Sequence, residues 1–245
     1  MGNIKLFWEE FISDISNLKV LHNMAEHTAE INISRYTKLG KDHDPLVDRY
    51  THGINFSAPK YKNNKPVIIS ENSISFNIIK RIKLFEEQQD DQYKLILVKA
   101  YESFKKFIKN IFDSDTEIDP LILNYYTNIY HDSFKINLFY VMCILRVMRN
   151  KISHNECFID ENGLYSQIEN LLTKRKIFIP SSAKSEIITF LKPYIDNDKS
   201  LTLKEKKLPS GGQRRTIGIL IDCLLSYSHY IKERELSQKY YYLLS

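Results

Sequence analysis

Residues 134–152 read FKINLFYVMCILRVMRNKI, and their spacing decides the fold class. Phe134, Leu138, Val141, Leu145, Met148 and Ile152 keep one apolar stripe for five turns of α-helix, close to a heptad seam. The same period recurs upstream at Leu97, Tyr101, Phe104, Ile108 and Ile111, and before that at Ile78, Ile79, Ile82 and Phe85. Trp8, Phe11, Ile12, Ile15 and Leu18 mark a first helix that plausibly runs to about Ile33. Downstream, amphipathic stretches at 165–172 and 183–191 precede a last helix whose buried side is Ile217, Leu220, Ile221, Leu224, Tyr227 and Ile231. Between Tyr36 and Pro66 the period collapses, and three of the seven prolines fall there with two glycines. The expected fold is therefore all-α: one helical bundle over residues 1–245, with long antiparallel helices and one irregular insertion near 36–70.

Composition agrees with that reading. The chain has 245 residues, 43% hydrophobic and 27% charged, which excludes wholesale disorder. Seven Gly and seven Pro are about half the usual share, which argues against a sandwich or a fold with many tight turns. Aromatics at 12% supply ample apolar area for a core. The net charge of +5 is compatible with a nucleic-acid partner and serves solubility equally well. Cys143, Cys157 and Cys223 form no CxxC pair, so neither a disulfide framework nor a zinc knuckle is expected, and a reducing cytoplasm is. Glu9, Glu10 and Asp14 interrupt any signal-like apolar run, Leu6 stands where myristoylation wants Ser or Thr, and no stretch approaches a membrane span.

Two motifs resemble chemistry and are better read as structure. Residues 208–215, LPSGGQRR, resemble the signature loop of ABC-type ATPases, but that loop works beside a P-loop and the chain has no GxxxxGK[ST]. Ser210 reads instead as a cap for the last helix. His22, Glu26 and His27 invite a metal site, yet the histidines are five apart, about 140° around a helix, so surface histidines are expected and no metal is assigned. The basic residues of 199–215 suit either an RNA contact or a solvated linker.

The exit of the central helix reads Met148-Arg149-Asn150-Lys151-Ile152-Ser153-His154. It is the one place where a histidine follows an arginine with four to six residues between, and a small amide follows that arginine directly. Here the chain resembles the HEPN superfamily, whose ribonuclease members carry Arg, a polar residue and then His after a short gap. The helix around Ala100, Tyr101, Glu102, Ser103 and Phe104 is similar to the second long helix of that fold, and the resemblance covers roughly 75–155 with the closing helix near 213–235.

The residue types suit RNA cleavage by the neighbouring 2′-OH. That attack needs a base for the hydroxyl proton, an acid for the leaving oxygen and a cation for the phosphorane. Histidine is the side chain whose unperturbed pKa lies near neutrality, which suits His154 for proton transfer. Arginine presents a charged planar fork to phosphate oxygens, which makes Arg149 the stabiliser. Asn150 can orient the histidine or the phosphate. Five residues put Arg149 and His154 about 140° apart in an unbroken helix, so the helix should end or bend near Ile152 and let His154 turn back.

Several expectations follow. The resemblance implies a homodimer in which two Arg–His sets face one cleft, and the long stripe of residues 134–152 offers apolar surface for it. It also implies a metal-independent endoribonuclease without cofactor, serving as a toxin or effector of abortive infection in antiviral defence and restrained by an antitoxin or sensor. The alternative is a non-catalytic HEPN module that binds RNA, a nucleotide or a partner protein. Tyr36, Arg49, Tyr50, Phe56 and Tyr61 give the 36–70 segment base-stacking and phosphate-neutralising types, so it is expected to border the RNA cleft.

Overall fold

The computed structural model describes residues 2–42, 54–62, 65–74, 78–113, 133–174, 176–204, 206–207, 213–214 and 216–244. Its body is all-α. Six helices follow in order among the described residues: α1 Gly2–Asp42, α2 Ile78–Phe112, α3 Ser133–Ser153, α4 Glu161–Thr173, α5 Ser181–Leu191 and α6 Thr216–Leu244. None of the helices is long and apolar enough to cross a membrane, among the described residues. Two antiparallel hairpins complete the description, β1 Ile54–Lys62 with β2 Lys65–Ile74, and the short β3 Lys206–Lys207 with β4 Gln213–Arg214.

The chain divides into two compact units, residues 1–22 with 90–245, and residues 23–89. Sequence offers no boundary at either junction because both fall inside helices, α1 and α2, whose apolar period runs straight through.

In the larger unit α3 is the central element. Leu138 to Leu145, Val147 and Met148 are all buried, so the helix is covered on nearly every side rather than along one stripe. It packs on α4 and α6. Leu138, Val141, Leu145 and Met148 of the predicted stripe are thus buried against the chain's own helices. The α1 and α2 portions lie antiparallel. Phe11 stacks on Phe107 at 4.9 Å, Ser103 donates to Asp14 at 3.1 Å, and His22 meets Tyr93 at 4.8 Å. His22 is thus a core histidine, 6% exposed, and not the surface residue its polarity suggested. The predicted apolar faces of α2 and α6 are buried throughout, from Leu97 to Ile111 and from Ile217 to Ile231.

In the smaller unit the expected irregular insertion proves regular where it is described. Helix α1 continues nine residues past Ile33, and Tyr36 explains it: the ring stacks on Phe85 at 5.6 Å, and Arg81 Nη1 donates to its hydroxyl at 2.9 Å. Ile54 to Ile74 then form the β1–β2 hairpin, with a shift of register between Ser57 and Pro59. A proline lacks the amide a ladder needs, and a bulge is where a strand accommodates one. Arg49 and Tyr50 lie outside the described residues, as do Ser210 and most of the LPSGGQRR segment.

Candidate functional site

The candidate site forms where α3 leaves the core. Arg149, on the last full turn of α3, is three-quarters covered, with 25% of its side chain exposed. Its Nη1 donates to Asn150 Oδ1 at 2.9 Å, and its Nη2 donates to Glu102 on α2 in a short ion pair. Its Nε is buried without a hydrogen-bond partner among the described residues. Two of the five guanidinium N–H groups are thereby fixed, and each terminal nitrogen keeps a second N–H. The plane of the fork is set before any ligand arrives.

Asn150 Oδ1 thus holds the arginine, a contact not expected from sequence. Glu102 is the residue that sequence reasoning missed. It lies 47 positions from Arg149, and no local period links them; only the packing of α2 on α3 does. Lys105 Nζ stands 3.7 Å from the other Glu102 oxygen. Beside Glu102, the Tyr101 hydroxyl is buried without a hydrogen-bond partner among the described residues. Burial raises its pKa far above the ordinary tyrosine range, against the pull of Arg146 and Arg149, so it stays a neutral phenol.

The helix ends in a complete Schellman motif. Glu156 N donates to Lys151 O at 2.8 Å, Asn155 N to Ile152 O at 3.1 Å, and Asn155 takes the left-handed conformation at φ 54°. Asparagine tolerates that region better than most residues, which is why the chain stops here without glycine. Lys151 Nζ also reaches Glu156 at 2.7 Å, and this bond with the lysine charge holds the Glu156 carboxyl below the usual glutamate range. The turn thus falls at Asn155, beyond Ile152. His154 still donates its backbone N–H to Asn150 O at 3.0 Å, so it keeps helical phase and does not turn back. The helix thus ends at Ser153, beside Ile152 as expected, but His154 does not turn back from it. His154 is exposed, and no side chain among the described residues hydrogen-bonds its ring. Within one protomer Arg149 and His154 stand on different sides of the helix end.

The segment beyond the cap is anchored firmly. Leu201 N donates to Cys157 O and Ile159 N to Lys199 O, each at 2.7 Å. The returning strand is held on α2 by buried Asp90, which accepts from Thr202 Oγ1 at 3.0 Å and Leu203 N at 2.5 Å and pairs with Lys94 at 2.8 Å. The first part of the supposed basic linker, Leu201 to Leu203, is accordingly buried rather than solvated.

Along α2, next to the Arg149–Glu102 pair, an open groove of about 450 Å³ is lined by Phe7, Glu102, Lys105, Lys106, Lys109, Asn110 and Asp113. Among the described residues no group of three or more His, Cys, Asp or Glu is placed to hold a metal ion. Compared with protein-family models, with curated proteins and with solved structures, the chain matches none of them.

Proposed function

We propose that this chain is a metal-independent endoribonuclease of HEPN type that acts as a homodimer. The observation that carries the reading is the guanidinium of Arg149, fixed by Asn150 and Glu102 at the helix exit, five residues from an exposed histidine. The reaction follows from those groups. His154 removes the 2′-OH proton, the freed oxygen attacks the adjacent phosphorus, and the P–O5′ bond breaks. A second histidine protonates the departing 5′ oxygen, leaving a 2′,3′-cyclic phosphate and a 5′-hydroxyl. Arg149 meets the charge that builds on the phosphorane oxygens.

The separation of Arg149 from His154 supports a two-protomer cleft, in which the histidine of one chain serves the arginine of the other. Mixing wild type with an excess of His154→Ala protein tests it, since a mixed dimer holds one His154 where the reaction uses two, and activity should fall with the share of wild-type pairs. A role as a toxin or effector of antiviral defence, in the cytoplasm and under a restraining partner, belongs to the same reading.

The deciding assay is RNA cleavage in EDTA. Wild type should cut and leave 2′,3′-cyclic ends; His154→Ala should lose about 10²–10⁴-fold. Arg149→Lys should recover only part of what Arg149→Ala loses, because an ammonium lacks the bidentate fork. DNA and 2′-O-methyl RNA should resist. Cleavage of the 2′-O-methyl substrate, or full activity in His154→Ala, defeats the mechanism; RNA binding without cleavage returns the non-catalytic module.

A further inference from the structure

Ala183, Glu186, Ile187 and Phe190 follow along α5 at i, i+3, i+4 and i+7, so they share one face of that helix. The face borders α3 and α6 across a groove of about 370 Å³. Val141 and Ile144 of α3 and Cys223 of α6 line its other sides. Val141, Ile144 and Ile187 are buried, so the interior is apolar.

The rim is not. Glu186 is the one charged group among the described residues that line the groove, and the Asn137 amide joins it from the start of α3. Both are exposed, and neither makes a hydrogen bond or an ion pair among the described residues. The charges around them are already matched. Lys184, the one cation of α5, lies over the Tyr165 ring at 4.9 Å, and Asp222, next to Cys223, pairs with Lys19 at 2.9 Å. Burial and the Asp222 charge raise the Cys223 pKa, so the sulfur lines the groove as a neutral, weakly polar thiol.

An apolar interior with a free carboxylate on its rim selects by polarity and by charge. It turns phosphates away, because an anion there meets Glu186 with no cation between. It suits a molecule whose body leaves water while its cation stays wet. The body covers Val141, Ile144 and Ile187, and an ammonium at the rim donates to Glu186 and to Asn137 Oδ1 without the cost of a buried charge. The volume lies at the low end for ligand clefts, which keeps the ligand small. We propose that the groove between α3, α5 and α6 is a binding site for a small amphipathic amine. Nothing in this site depends on the ribonuclease reading.

Phenethylamine, phenethyl alcohol and phenylpropionate carry one ring with a cation, a neutral group and an anion. Each is titrated into the full chain while the methyl NMR signals of Val141, Ile144 and Ile187 are followed. The amine should bind about fivefold tighter than the alcohol, the gain expected of a partly exposed ion pair, and the acid should bind weakest. Glu186→Gln, at an exposed position, should bring the amine down to the level of the alcohol and leave the alcohol unchanged. Ala183→Trp fills the groove from α5 and should abolish binding of all three, with circular dichroism checking the fold. Equal affinity for amine and acid in wild type, or methyl shifts that persist in Ala183→Trp, overturn the proposal. Failure of all three probes to bind does the same. So do methyl shifts that track protein concentration alone, which would make the groove a contact between two copies of the chain.

Discussion

Glu102→Ala is the most informative single change. The pair it removes is neither exposed nor fully buried, with 25% of the Arg149 side chain and 42% of the Glu102 side chain accessible. Exposed pairs contribute about 0–1 kcal/mol, and breaking a fully buried pair costs about 3–5 kcal/mol. Solvent screening at Glu102 puts this pair near the lower figure, about 1–2 kcal/mol. At about 2–4 °C per kcal/mol for a chain of this size, the melting temperature should fall by roughly 2–8 °C. The loss in activity should be larger than that suggests. Without Glu102 the planar fork is held at one terminal nitrogen only and can swing about it, and a misplacement near 1 Å can cost about 10²-fold in rate. Glu102→Gln separates the two effects: the amide oxygen still accepts from Nη2, so orientation survives while the charge is lost. The expected order of cleavage rate is wild type, then Gln, then Ala, with KM changing less than kcat. If Glu102→Ala melts like wild type and cleaves at the wild-type rate, then Glu102 does not position Arg149.

Other predictions concern the groups that hold the site in place. Asn155→Gly should be neutral or slightly stabilising, whereas Asn155→Ala should cost about 1 kcal/mol, because an L residue with a Cβ is strained at φ 54°; equal melting temperatures for the two would contradict the cap. Burial alone would lower the Lys94 pKa, but its hydrogen bond and charge contact with Asp90 win and raise it. A raised lysine contributes stability that is complete below its unfolded pKa, about 10.4, and is lost as pH climbs through the folded value. The gap in melting temperature between wild type and Asp90→Asn should therefore hold steady from pH 7 to about pH 10 and narrow above it; a gap that widens there would show the sign to be wrong. Burial pushes the Cys143 thiol up to about 12 and also raises Cys157 and Cys223. Native protein at neutral pH should label slowly with a disulfide reagent and all three thiols should react in denaturant; one rapid equivalent in the native state would count against this.

The helices were legible because apolar residues recur at their own period. Phe104 and Ile108, or Leu220 and Leu224, repeat every four positions, and burial alone is enough to select that face. The hairpin at 54–74 was not legible for a physical reason. Pro59 sits at a register shift, so the alternation that marks a strand is reset halfway along β1. The two unit boundaries were hidden because a helix crosses each one. At the site, Arg149, Asn150 and His154 were readable as types and spacing. Which of them touch was not readable, since Glu102 enters from a helix 47 positions away and the cap geometry depends on the φ of Asn155.

For the proposed reaction a carboxylate beside Arg149 looks counterproductive, because it cancels some of the charge that a phosphorane needs. The hydrogen-bond count resolves the conflict. An unfixed arginine samples many rotamers and must be ordered at the moment of reaction, which costs about 2 kcal/mol of side-chain freedom. With Nη1 held by Asn150 and Nη2 by Glu102, that ordering is complete in the folded protein. Each terminal nitrogen keeps a second N–H, which the proposed reaction assigns to the phosphate. In the proposed reaction the two groups are treated differently by the fold: Arg149 is held in place by two partners, while His154 stays exposed at the helix end, where a substrate or a second chain can reach it.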